Sequence, residues 1–168
     1  MRWRRKTNVA PSRWSRRLGE LADHATPGEQ AYIDALVTRY VGRKGAKRKG
    51  LDEAYAKAMR SVAQQFPEDA DASTLFAEAL MDLRPWDLWK PDGEPQPGTD
   101  EIVTTLESVL ARNPDHPGAC HYYIHALEAS SYLERALACA ERLPEPDAGR
   151  RASGSYAGPP LHPARQVP

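Results

Sequence analysis

Apolar positions recur at helical spacing from about residue 26 to residue 143, and nothing in that span alternates as a strand does. Thr26-Pro27-Gly28-Glu29 reads as a capping box with proline at the first helical position, so a helix starts there. Its apolar stripe is Ile33, Leu36, Val37 and Tyr40; Gly42 stops it, and a polar loop covers 43–50. A second stripe, Leu51, Tyr55, Met59, Val62 and Phe66, ends at Pro67. A third helix over 70–83 turns Leu75, Phe76, Ala79, Leu80 and Leu83 inward. The fourth begins near Thr99, buries Ile102, Val103, Leu106, Val109 and Leu110, and breaks at Asn113-Pro114. The fifth spans 117–129 and the sixth 132–143, separated by Ser130 and Ser131. The pattern predicts an all-α fold of six helices over 25–143.

One stretch departs from it. Residues 84–98 hold Pro85, Pro91, Pro95 and Pro97, the pair Trp86 and Trp89, and the turn Asp92-Gly93. Four prolines cannot lie within one helix, because each removes a backbone donor and clashes with the preceding turn. The two indoles either form a recognition surface, since aromatics dominate binding hot spots, or fold back over the core and anchor the loop. The entropy of ordering so long a loop favours the second arrangement.

The second, fourth and sixth helices are second members of hairpins, and the first two of them end in proline, at Pro67 and Pro114. Those prolines are separated by roughly one 34-residue repeat plus the length of the 84–98 insertion. The run Leu110-Ala111-Arg112-Asn113-Pro114-Asp115-His116-Pro117 resembles the junction between tetratricopeptide repeats. The small or apolar positions of the repeat's second helix then match Tyr55, Met59 and Val62, and Ile102, Leu106 and Val109. The signature tryptophan and glycine of the first helix are replaced by Ser73 and Ala77, and by Cys120 and Ile124, so the repeats resemble degenerate ones. The combination of Leu83-Arg84-Pro85-Trp86-Asp87-Leu88-Trp89 with Asn113-Pro114-Asp115-His116-Pro117-Gly118-Ala119 and His121-Tyr122-Tyr123-Ile124-His125 is similar to longer bacterial tetratricopeptide-repeat proteins of unassigned activity. The resemblance implies an α-solenoid fragment whose concave groove binds a peptide or helix, with Trp86, Trp89, His121, Tyr122 and His125 as candidate contacts.

Composition narrows the partners. Acidic and basic residues balance at 23 each, leaving no net field to attract nucleic acid or acidic lipid. The cations are nevertheless crowded at the start: Arg2, Arg4, Arg5, Lys6, Arg13, Arg16 and Arg17 occur before any acid. With Trp3 and Trp14 they form a basic arm able to stack on bases, but no nucleic-acid fold stands behind it. Two cysteines, Cys120 and Cys139, sit on apolar stretches and suit buried thiols in the reducing cytoplasm better than a disulfide framework. No apolar run has the length of a membrane span, and no cofactor motif is present.

The chemistry that remains is a rival to the interaction module. His121 and His125 are one helical turn apart and Glu128 lies three residues on, which is metal-ligand spacing on one face. The zincin pattern requires glutamate directly after the first histidine, where this chain has Tyr122, so a metal-binding protein or enzyme would need another arrangement. Tyr122 and Tyr123 suit packing.

The ends differ from the middle. Residues 1–24 are expected to be a poorly ordered basic segment. Periodicity stops at Pro144, and 144–168 holds six prolines and no helical pattern. Synonymous codons for 150–166 can be chosen so that the frame one base later gives a histidine-rich continuation similar to the bacterial family. That suggests an out-of-frame tail on a fragment. A repeat stack left without a polar outer face would also self-associate through its last helix.

Overall fold

The computed structural model describes residues 25–40 and 48–143. The expectations for 1–24, for 43–47 and for 144–168 lie outside the described residues, and 48–50, expected in a loop, are helical instead. Among the described residues six α-helices follow one another: α1 Pro27–Arg39, α2 Arg48–Gln65, α3 Ala70–Met81, α4 Thr99–Arg112, α5 Pro117–Leu127 and α6 Leu137–Arg142. Each packs on the next, and α3 also packs on α5. The described residues contain no β-strand, only an isolated bridge between Trp89 and Pro95. None of the helices is long and apolar enough to cross a membrane.

Local chemistry sets most boundaries. At α1 the Thr26 hydroxyl accepts from the Glu29 backbone N–H at 3.3 Å, while the Glu29 carboxylate accepts from the Thr26 N–H at 2.8 Å. The Thr26 N–H and, after it, the Thr26 hydroxyl donate to the Glu29 carboxylate and hold it below its usual range. Asp69 caps α3 by accepting from the Ala72 N–H, and its other oxygen accepts from the Tyr32 hydroxyl at 2.8 Å, tying α1 to the start of α3. Gly98 precedes α4 at φ 96°, a conformation that a side chain would strain.

Two apolar clusters meet at α3. One gathers Ala35, Tyr55, Met59, Val62, Phe76 and Ala79 from α1, α2 and α3. The other gathers Ala77, Ile102, Leu106, Val109, Cys120, Tyr123 and Leu127 from α3, α4 and α5. Helix α3 has neighbours on several sides and uses small residues to admit them: Ala72, Ala77 and Ala79 are fully buried. The six positions matched to the repeat's second helices are all buried. Across the layers Arg60 of α2 pairs with Glu101 of α4, one of its two contacts measuring 2.8 Å, and its guanidinium lies 4.7 Å from the centre of the Phe76 ring.

Three expectations need correction. The buried face of α1 centres on Ala35, with Ala31 and Tyr32 partly buried beside it, whereas Leu36 and Tyr40 are exposed. Arg39, one helical turn on from Ala35, shares the inward face and meets Asp52, Glu78 and Asp82 there. Leu83 lies beyond the end of α3 and is also exposed. The sixth helix is shorter than 132–143: a 3-10 turn over Leu133–Ala136 precedes α6. The Ser130 hydroxyl accepts from the Tyr132 N–H at 3.0 Å and shapes the chain ahead of that turn. Only Ala136 and Cys139 of this region are buried, while Leu133 and Leu137 face outward.

Met59 is 1% exposed and Leu106 0%. A carboxylate at either position would be desolvated without a partner, at a cost of several kcal/mol and comparable to the whole stability of a small domain. Met59→Asp and Leu106→Asp are therefore expected to abolish the cooperative thermal transition, measured by circular dichroism. A native-like melt of either variant would refute the packing of its helix.

Candidate functional site

The 84–98 insertion is held by its own hydrogen bonds and by two side chains. The Lys90 N–H donates to the Glu94 carbonyl at 2.8 Å and the Gln96 N–H to the Leu88 carbonyl at 2.8 Å. The buried Thr99 hydroxyl, at the start of α4, donates to the same Leu88 carbonyl at 2.6 Å. Leu88 enters the second apolar cluster and Trp89 packs against it. The Trp89 indole N–H donates to the Ala126 carbonyl of α5 at 2.7 Å. Trp89 thus folds back and anchors the loop.

Trp86 does the opposite. It is 84% exposed and has φ 62°, the one positive value among the described non-glycine residues. The Asp87 N–H donates to the Arg84 carbonyl at 3.1 Å, closing a turn with Pro85 second and Trp86 third. Such a turn puts φ above zero at its third residue, where glycine is the ordinary occupant. A bulky residue there costs of order 1–3 kcal/mol, and strain of this kind gathers at functional positions. The expectation that both indoles cover the core holds for Trp89 and fails for Trp86.

Between the insertion and the ends of α3 and α5 lies an open groove of about 270 Å³. Pro85, Trp86, Leu88 and Trp89 form one wall. Glu78, Met81 and Asp82 come from the end of α3, and Tyr122, His125, Glu128 and Ala129 from the end of α5. The Trp86 indole meets the His125 imidazole edge to face at 5.9 Å between centres. Burial and then Asp82 raise the Glu78 carboxyl above its usual range, against the pull of Arg39. Burial raises the Tyr122 hydroxyl, and the Glu78 and Asp82 carboxylates raise it further.

The proposed histidine face does assemble. The rings of His121 and His125 stand 4.7 Å apart, and His125 Nδ1 lies 3.1 Å from a Glu128 carboxylate oxygen. Among the described residues, however, no group of three His, Cys, Asp or Glu side chains is arranged to hold a metal ion. His121 stacks at right angles to Tyr122 and lies outside the groove lining, whereas His125 lines it. Cys120 and Cys139 are free and buried; burial, and then the neighbouring Cys120, push the Cys139 thiol up to about 12.

Sequence patterning missed three participants. Glu78 and Asp82 lie off the apolar stripe of their helix, although their spacing at its end places both on one side. His116 caps α5, its Nδ1 accepting from the Ala119 N–H at 3.1 Å, which leaves the ring proton on Nε2 to meet Asp71 at 3.2 Å. That contact links the starts of α3 and α5, whose other ends shape the groove. The signal was available in His116-Pro117, a side chain able to cap directly before a proline at the first helical position.

Trp89→Phe keeps most of the packing but leaves the Ala126 carbonyl without its indole donor. The expected loss is about 1–3 kcal/mol, or a fall of several degrees in Tm, read by thermal denaturation. An unchanged Tm would show that the indole does not anchor the insertion. Comparison of the chain with family models, curated proteins and solved structures finds no match.

Proposed function

We propose that this chain is a protein-interaction module, a short stack of degenerate tetratricopeptide-like hairpins that holds a peptide or helix in the groove beside α3 and α5. The fold supports this through its consecutive packed helix pairs and the contact between α3 and α5, each the first helix of a pair. Trp86 carries the proposal: a large indole kept in solvent by a strained turn is wasteful unless something covers it. Tyr122, His125 and Trp89 complete an aromatic surface around it.

Selection from a random peptide library tests the proposal. The wild-type chain is expected to enrich binding peptides, whereas Trp86→Gly, which relieves the backbone strain, is expected to lose them without a lower Tm. Failure of the wild-type chain to enrich any peptide, or equal enrichment by Trp86→Gly, would overturn it.

Self-association through the last helix belongs to the same proposal. Leu133 and Leu137 are 46% and 58% exposed, with Tyr132 alongside at 46%. Leu137→Lys is expected to lower the apparent mass at high concentration in sedimentation equilibrium. Wild-type protein that is monomeric throughout would remove this part.

A further inference from the structure

We infer that the groove takes an arginine side chain of the partner peptide, the guanidinium lying against the Trp86 indole and facing Glu78 and Asp82. This rests on the peptide-binding proposal and adds the chemistry of the residue recognised. A volume of about 270 Å³ is near the lower limit of small-molecule sites, about 300 Å³, and suits one side chain better than a whole ligand.

The charge of the groove selects a cation. Three carboxylates line it, Glu78, Asp82 and Glu128, with one cation, Arg84, whose guanidinium lies 3.5 Å from Asp87. Arg39 stands 3.8 Å from Glu78 but is shared with Asp82 and Asp52. Two helices also end here: Met81 and Asp82 close α3, and Glu128 closes α5. Each C-terminus presents the negative end of its helix dipole, equivalent to roughly half an electron charge. The raised Glu78 carboxyl fits this picture, because burial and the adjacent Asp82 outweigh the pull of Arg39 and disfavour its ionised form, which a further cation would favour.

The aromatic wall selects guanidinium over ammonium. A flat, weakly hydrated cation stacks on an indole face and reaches carboxylates through several N–H donors, whereas the compact ammonium of lysine is more strongly hydrated. Trp86 lines the groove yet leaves most of its ring in solvent, so a guanidinium can reach the indole without displacing the anchored Trp89.

The test uses N-acetyl-arginine amide and its neutral isostere N-acetyl-citrulline amide, titrated into the full chain and followed by NMR of the indole N–H resonances. Arginine amide is expected to shift the Trp86 and Trp89 resonances in a saturable way, and citrulline amide is not. With Trp89 as reporter, Trp86→Gly is expected to weaken binding about two- to fivefold, the scale of one exposed cation–π contact. Glu78→Gln is expected to weaken it by at least as much. Equal shifts from both amides, or none from the arginine amide, would overturn the inference. If library peptides bind but the arginine amide does not, peptide recognition stands and the arginine pocket falls. The reverse result leaves the pocket and removes peptide recognition.

Discussion

Everything in this fold depends on α3 being buried on more than one side. A helix that meets α2, α4 and α5 at once needs a surface thin enough for close approach. Ala72, Ala77 and Ala79 supply it at full burial, while Phe76 fills the space on the α2 side. Large residues at those alanines would push neighbouring helices apart, since packed interiors lack the free volume to absorb them. The two apolar clusters are thus joined through one helix, and damage to α3 should reach both.

The same helix explains where the groove forms. Its end at Met81 releases the chain into the 84–98 insertion, and Leu88 and Trp89 bring that segment back onto the cluster shared with α4 and α5. The return is covalently short and apolar, which leaves the turn carrying Trp86 to bridge the remaining distance. Anchoring and display are therefore divided between two tryptophans three residues apart. Trp89 lowers the energy of the loop through packing and an indole hydrogen bond, and Trp86 raises it through an unfavourable backbone angle.

Charge follows the same geometry. Arg39 enters a partly buried network with Asp52, Glu78 and Asp82, and Arg48 adds a second cation at Asp52, 2.7 Å away. The Arg39 guanidinium also lies 4.9 Å from the centre of the Tyr55 ring. Partly buried charges are costly unless paired, and these ion pairs tie α1 to α2 and to the end of α3. Two of the network's acidic members, Glu78 and Asp82, line the groove, which connects the packing of the first hairpin to the electrostatics of the proposed site.

The sequence by itself determined that the chain folds as a succession of helices. Capping residues, prolines at 67, 85 and 114, and the stripes through Met59 and Leu106 act locally or at fixed periodicity, so they are readable without coordinates. It also marked His125, Tyr122 and the two tryptophans of the insertion as unusual. Tertiary structure decided the rest, because each remaining feature depends on residues distant in sequence. The inward face of α1 carries Arg39 to acids on α2 and at the end of α3, partners that no hydrophobic stripe reveals. The separate fates of Trp86 and Trp89 depended on the Ala126 carbonyl and the turn angle at 86. Glu78 and Asp82 come to line the groove only because α5 packs beside α3 and the insertion folds back onto both, contacts that no local pattern encodes.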